Sequence, residues 1–204
     1  MAKRQQQRMA FMVKPQQQQV VADDGMRDLG LLVLRAAVGS LLAGHGAQKL
    51  FGAFGGYGVE GTAGWLESLG LKPGKQWAIA AGAGEFGGGV LTALGLATPV
   101  GLLGATGAMG MAIAKTHWGK PLWVTAGGAE LPLTNLAAVA ALALAGPGRY
   151  SLDRLLGLRV PRWVSLVGLA ATVAAVAAGA LSQAPPPAPV QDAAHDALQS
   201  EGAD

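Results

Sequence analysis

Three long stretches of this 204-residue chain contain no Asp, Glu, Lys or Arg: residues 86–114, 131–148 and 163–191. A helix of about 20 mostly apolar residues is long enough to cross the roughly 30 Å hydrocarbon core of a bilayer. Charged residues make up only 13% of the chain, whereas an ordinary soluble domain has about 25%. The stretches therefore predict an all-α fold, a polytopic membrane helix bundle, rather than a soluble protein.

The apolar pattern predicts five transmembrane helices. Thr98 and Pro99 separate the second from the third, because proline cannot continue a helix but suits the start of the next one. The fourth span has the weakest apolar pattern, because Pro132, Thr134 and Asn135 interrupt it near its start. A buried half-helix is the alternative there. The five predicted spans are residues 29–50, 76–96, 100–118, 131–148 and 163–181.

The basic residues predict how these spans are oriented. With the N-terminus inside, five spans leave nine Lys and Arg residues in the cytoplasm and five outside, as the positive-inside rule requires. If the fourth segment did not cross, this bias would reverse. We expect a multi-pass protein of the bacterial cytoplasmic (inner) membrane. Because the basic residues flank apolar runs and form no single stripe, no nucleic-acid partner is expected.

The two ends of the chain differ in composition from the rest. Residues 1–28 are basic and rich in Gln, without the apolar core of a cleaved signal peptide. Residues 29–150 hold four of the spans, and residues 151–182 hold a basic loop and the fifth. Residues 183–204 are rich in Pro and acidic residues. Such end segments bury too little apolar surface to offset their ordering entropy, so we expect both to be disordered.

Glycine spacing indicates where the helices pack. Gly84 and Gly88 lie four residues apart on the second span, and Gly104 and Gly107 lie three apart on the third. Lipid provides no hydrophobic drive between helices, so small residues that allow close approach mark contact faces. We predict helix packing at these four positions.

Two charged residues lie well inside predicted spans rather than near their ends: Arg35 on the first and Glu85 on the second. An unpaired charge at this depth costs about 2.5 to 3.5 kcal/mol or more, so the two are predicted to form a buried ion pair or to line a wet cavity. A structural pair that sets helix register and a ligand or proton site both remain open.

A second polar group is predicted near the outer ends of the helices: His45, Gln48 and Lys49 on the first span and His117 on the third. These side chains suit hydrogen bonds to a quinone carbonyl. Haem ligation by the two histidines is a less favoured alternative, and ordinary membrane-boundary residues are another. The chain has no cysteine, no metal site is predicted, and no catalytic residue is assigned.

An ordered series of motifs resembles the DoxX family of integral membrane DoxX/DoxD-like proteins over about residues 26–150. The resemblance implies a four-helix membrane core, to which this chain adds a fifth helix. It also implies association with membrane redox systems, since one relative is a subunit of thiosulfate:quinone oxidoreductase and others accompany oxidative-stress complexes. The matching motifs are His45-Gly46-Ala47-Gln48-Lys49-Leu50-Phe51-Gly52, Gly61-Thr62-Ala63, Glu67-Ser68-Leu69-Gly70-Leu71, Pro73-Gly74, Ala81-Gly82, Glu85 with Gly88-Gly89, and Leu94-Gly95-Leu96-Ala97-Thr98-Pro99.

Three functional hypotheses follow. The first is a subunit or accessory protein of a membrane quinone-linked oxidoreductase or redox-stress complex, with quinone as its ligand. The second is a small-solute transporter, which buried charges would also serve. The third is a structural membrane anchor for a peripheral enzyme. The expected partners are the lipid bilayer and a membrane or peripheral redox protein, and homo-oligomerisation is left open.

Overall fold

The computed structural model describes the backbone of residues 2–182 and the side chains of residues 25–161 and 163–182. Within this range the chain forms helices and no strand, which confirms the predicted all-α class. The helices are α1 (Ala2–Phe51), α2 (Gly58–Ser68), α3 (Gly74–Leu94), α4 (Thr98–Ala112), α5 (Glu130–Ala145), α6 (Leu152–Leu156) and α7 (Arg162–Leu181).

The five long helices alternate in direction along the chain, so α4 and α7, which pack side by side, run parallel. Gly39 lies against Ala93 and Gly46 against Phe86, so α1 and α3 are antiparallel. Gly110 lies against Val176, further along both α4 and α7 than the contact of Gly107 with Thr172. The bundle therefore has two ends. We call them the α2 end, where α1 and α4 finish, and the α6 end, where α3 and α5 finish.

Local sequence explains several of the helix boundaries. α3 ends at Gly95, which adopts a left-handed conformation (φ +62°) and has no room for a Cβ between Arg35 and Ser151. α4 begins immediately afterwards with Pro99 in its first turn, as the Thr98-Pro99 break predicts. Beyond Ala112 the helix continues as one π-helical turn, Ile113–His117.

The backbone is helical from Ala2, in contrast to the disorder expected for residues 1–28. Gln, Lys, Arg and Ala are good helix formers, so a polar segment can extend a helix without an apolar face. The second segment expected to be disordered, residues 183–204, lies outside the described residues.

The apolar core has two clusters. Residues of α1, α4 and α5 form the larger one: Leu31, Leu42, Leu102, Ala105, Met109, Val139 and Leu142. In the smaller one, α2 packs on the start of α3 through Ala63, Leu66, Leu71 and Ala78. α2 is therefore packed against the bundle.

In the part of the chain that the structure describes, two helical segments are long and apolar enough to cross a membrane, judged by length and composition: Gly25–Phe51 and Trp163–Leu181. The apolar α5, Glu130–Ala145, is shorter. Large apolar side chains are exposed on the outer faces of these helices, among them Val33, Leu144 and Leu166. This exposure fits a lipid environment, while the count of five crossings stays a prediction.

Candidate functional site

A buried salt bridge links α1 to α3 near the α2 end. The ammonium Nζ of Lys49 donates to Oε2 of Glu85 at 2.5 Å. Glu85 is only 4% exposed, whereas a quarter of the Lys49 side chain reaches the surface (25%). The pair thus satisfies a carboxylate that would otherwise be buried alone.

A hydrogen-bonded chain lies beside this salt bridge. Nδ1 of His45 is 3.1 Å from Oε1 of Gln48, and Nε2 of Gln48 donates to the carbonyl of Phe54 at 3.5 Å. His45 and Lys49 are four residues apart, so they share a face of α1. We call His45, Gln48, Lys49 and Glu85 the α2-end cluster.

The turn after α1 folds back over Gln48. Gly56 lies so close to Gln48 that a Cβ there would overlap it, and Phe54 adopts a left-handed conformation (φ 52°), which is strained for a bulky residue. Phe51, Phe54 and Tyr57 are exposed in this turn. An exposed histidine is thereby placed in a segment rich in accessible aromatic rings.

The hydrogen bonds favour one histidine tautomer. The Gln48 amide donates to Phe54, so its oxygen faces His45 and Nδ1 of the ring carries the proton. In a neutral ring Nε2 is then an acceptor, and in a protonated ring it is a donor. Nε2 of His45 can therefore accept a hydrogen bond when the ring is neutral and donate one when the ring is protonated.

His117 lies apart from the α2-end cluster. It ends the π-helical turn after α4, and its Nδ1 is 2.7 Å from the carbonyl of Gly127 in the following loop. Among the described residues, no hydrogen bond or salt bridge joins His117 to the cluster. His117 therefore bonds to the loop before α5. In the part of the chain that it describes, the structure shows no hydrogen bond that would group His117 with His45 at one site.

Arg35 does not pair with Glu85, contrary to the sequence prediction. It lies at the α6 end, where its guanidinium donates to the carbonyls of Pro147 and Tyr150. The glycine contacts set a register in which Arg35 is level with the turn after α3, while Glu85 is level with Lys49. The prediction placed the two residues by depth in isolated spans, and this register was not visible from either span alone.

A second polar group was not predicted from the sequence. We call it the α6-end clasp: Asp153, Thr98 and the Gly95–Ala97 turn. The carboxylate of Asp153 accepts from the backbone N–H groups of Ala97 and Thr98 at 2.7 and 3.0 Å and from the Thr98 hydroxyl at 2.7 Å. Its own N–H donates to Gly95 at 2.9 Å. The partners are far apart in sequence, so no local motif indicated the clasp.

Three of the predicted packing glycines lie between α3 and α4. Gly84 faces Gly104, and a Cβ on Gly88 would lie 2.6 Å from the carbonyl oxygen of Gly101. The fourth, Gly107, faces Thr172 of α7 instead. Similarly close approaches join α1 to α3 at glycines that the packing prediction did not include, although the seven-residue spacing within each pair was a usable signal: Gly39 with Gly46, and Gly82 with Gly89.

Part of the chain matches a known protein family. Residues 30–118 match the model of the DoxX family. The chain carries a DoxX domain. No curated protein and no solved structure matches the chain. The family resemblance drawn from the motifs is thus confirmed, and the protein is an integral membrane protein.

The DoxX domain covers α2, α3, α4 and most of the apolar part of α1. The whole α2-end cluster lies within it, whereas His117 sits at its last turn. The α6-end clasp joins the domain to the part of the chain that follows it, since Thr98 is inside the matched range and Asp153 outside. Among the described residues, no group of three His, Cys, Asp or Glu side chains could hold a metal ion.

Proposed function

We propose that this protein is a membrane subunit or accessory protein of a quinone-linked oxidoreductase in the bacterial cytoplasmic membrane. The α2-end cluster then binds the quinone headgroup. The observation that carries the proposal is the exposed His45–Gln48 pair beside the buried Lys49–Glu85 salt bridge. A titratable ring and a fixed ammonium thus lie on one face of α1, within a domain that belongs to the DoxX family.

The tautomer of His45 suits both redox forms of such a ligand. Nε2 of the neutral ring accepts a hydrogen bond from a quinol hydroxyl, and Nε2 of the protonated ring donates one to a quinone carbonyl. The exposed rings of Phe51, Phe54 and Tyr57 offer apolar faces against which a flat headgroup can stack.

Lys49 supports the same chemistry through its charge. An ammonium has three N–H donors, and the bond to Glu85 uses one of them. The other two can stabilise negative charge on a quinone oxygen as it is reduced. Glu85 acts as a positioning residue, because its bond holds the Lys49 side chain against α3.

A redox partner is part of the proposal. The side chains of the cluster move protons and place a ligand, but His, Gln, Lys and Glu do not carry electrons at physiological potentials. The electrons are therefore exchanged between the bound quinone and a separate membrane or peripheral redox protein.

Quinone binding to the purified full chain tests the site directly. A short-tail benzoquinone is titrated into the detergent-solubilised protein, and binding is followed by quenching of tryptophan fluorescence. We expect His45→Gln to weaken binding at least about tenfold, the effect of losing one charge-assisted hydrogen bond. His117→Gln is the matched control, because His117 is a histidine at the same end of the bundle but outside the cluster.

Equal weakening by the two substitutions, or no weakening by either, would contradict the proposed site. The role in a complex is tested separately with His45→Leu in native membranes. Quinone-linked activity per assembled complex should fall while the amount of assembled complex stays constant. If the residues only anchor the helix, activity per complex stays constant and the amount of protein falls or does not change.

A further inference from the structure

A cavity of about 860 Å³ opens at the α6 end, and four arginines line it. Arg27 comes from α1, Arg149 from the loop after α5, Arg154 from α6 and Arg159 from the loop before α7. All four side chains are exposed. Four separate elements therefore bring guanidinium groups to the wall of one cavity.

The two carboxylates of the same wall are already engaged within the protein. Asp153 accepts the three hydrogen bonds of the α6-end clasp, and Asp28 accepts one from the backbone N–H of Arg149 at 3.1 Å. Neither of the two ion pairs found among the described residues involves an arginine of this cavity. The cavity therefore presents an excess of positive charge to an incoming anion.

An apolar groove of about 760 Å³ joins this basic cavity. The two share Pro147, Asp153, Leu158 and Arg159, so they are adjacent. The groove runs along α4 between α5 and α7. Its apolar walls include Leu102, Leu103, Leu136, Val139, Ala143 and Leu169.

The depth of the site matches that of lipid headgroups. Tyr150 and Trp163 lie at the same end of the bundle and are exposed, and such aromatic residues gather at the membrane–water boundary. The basic cavity thus lies at the boundary, and the groove extends from it towards the hydrocarbon.

We propose that the basic cavity and the adjoining groove bind one anionic glycerophospholipid, with its phosphate on Arg149, Arg154 and Arg159 and one acyl chain between α5 and α7. Guanidinium groups bind phosphate oxygens in bidentate geometry, and basic pockets between membrane helices suit anionic headgroups. A soluble anion would leave the groove unused. A zwitterionic lipid would carry a positive group into a cavity that is already positive.

Lipid binding to the delipidated full chain tests the proposal. Phosphatidylglycerol or phosphatidylcholine is added to the protein in detergent micelles, and native mass spectrometry measures the bound fraction. We expect phosphatidylglycerol to bind at least about tenfold more tightly. The combined variant Arg149→Gln with Arg154→Gln should lose about ten- to thirtyfold in phosphatidylglycerol affinity, from roughly 1 kcal/mol for each arginine.

The matched control removes two positive charges from the other end of the bundle. Lys72→Gln with Lys120→Gln changes two exposed lysines outside the cavity, and it should keep wild-type affinity for phosphatidylglycerol. Equal losses in the two double variants would overturn the proposal in favour of attraction by overall charge.

A second variant separates a lipid from a free anion. Ala143→Phe fills the groove and leaves all four arginines in place, so it should weaken phosphatidylglycerol but not inorganic phosphate. If inorganic phosphate competes at concentrations similar to the lipid, or if Ala143→Phe has no effect, the site takes a soluble anion and the proposal is wrong. Lipid binding at the α6 end does not depend on quinone binding at the α2 end.

Discussion

Lys49 and Glu85 form a 2.5 Å salt bridge between α1 and α3, at the opposite end of the bundle from the buried Arg35. Because α1 and α3 are antiparallel, Arg35 on α1 and Glu85 on α3 lie at different levels of the bundle. Glu85 is neutralised by a lysine that reaches the surface, and the Nη1 and Nη2 atoms of Arg35 donate to backbone carbonyls. Each end of the bundle therefore supplies the hydrogen-bond partners of its own buried charged side chain.

Removal of Lys49 should destabilise the protein more than removal of Glu85. Lys49→Met leaves the Glu85 carboxylate buried without a partner, at a cost of about 3 kcal/mol. Glu85→Leu leaves an ammonium that can extend to water, so its cost is lower. The double variant should recover part of the loss, and unfolding in mixed micelles measures all three.

Two further double-variant cycles are controls for the Lys49–Glu85 cycle. The pair Lys75–Glu60 is 2.9 Å long but exposed, so the same cycle there should give a coupling of about 0.2 to 1 kcal/mol. Arg35→Leu with Glu85→Leu should be additive, because the two residues share no partner. Strong coupling between Arg35 and Glu85 would show that the register described here is wrong.

Gly46→Ala should weaken the packing of α1 on α3. An added Cβ would lie 2.6 Å from the Cα of Phe86 and 2.7 Å from the carbonyl oxygen of Gly82, so the helices must move apart, at a cost of about 1 to 3 kcal/mol. Gly44→Ala is the matched control, since its Cβ would meet nothing within 4 Å and should add about 0.5 to 1 kcal/mol of helix stability. Similar unfolding free energies for the two variants would contradict close α1–α3 contact.

Asp153→Ala should release α6 from the start of α4. The substitution removes the acceptor for two backbone N–H groups and the Thr98 hydroxyl, which should cost about 2 kcal/mol. Thr98→Val removes one of these bonds and should cost about 1 kcal/mol. Asp28→Ala removes a single acceptor in the same region and is the control. Equal unfolding free energies for Asp153→Ala and Asp28→Ala would exclude a structural role for the clasp.

Local signals predicted the helices and part of their packing. Uncharged runs, the Thr98-Pro99 break and glycine spacing are each read from a short window, and α3, α4 and α7 follow them closely. The helical state of the segment before Gly25 did not follow, because good helix formers without an apolar face do not distinguish a helix from a disordered tail.

The partners of the buried charges depend on information that no single helix carries. The pairing of Glu85 with Lys49 requires the register of α1 against α3, which the contacts of Gly39, Gly46 and Gly89 set. The hydrogen bonds of Asp153 require the α6 loop to return to the α3–α4 turn. His45 and Gln48, by contrast, are three residues apart on one helix, so their contact could be expected from sequence alone.

Cysteine labelling should show whether α5 crosses the membrane. Lys120 precedes α5 and Arg154 follows it, and both are exposed. The chain has no cysteine of its own, so Lys120→Cys and Arg154→Cys each provide a single reactive thiol. In intact cells a membrane-impermeant maleimide should label Lys120→Cys, and it should label Arg154→Cys only after the membrane is opened.

This result is expected although α5 is short. Its 16 residues span about 24 Å, less than the roughly 30 Å of a typical hydrocarbon core. Local thinning of the bilayer accommodates such a mismatch at a modest cost. A reporter fused after Leu181 should correspondingly lie outside the cell. If both thiols react in intact cells, α5 does not cross, Arg149, Arg154 and Arg159 lie outside, and the five-span orientation is wrong.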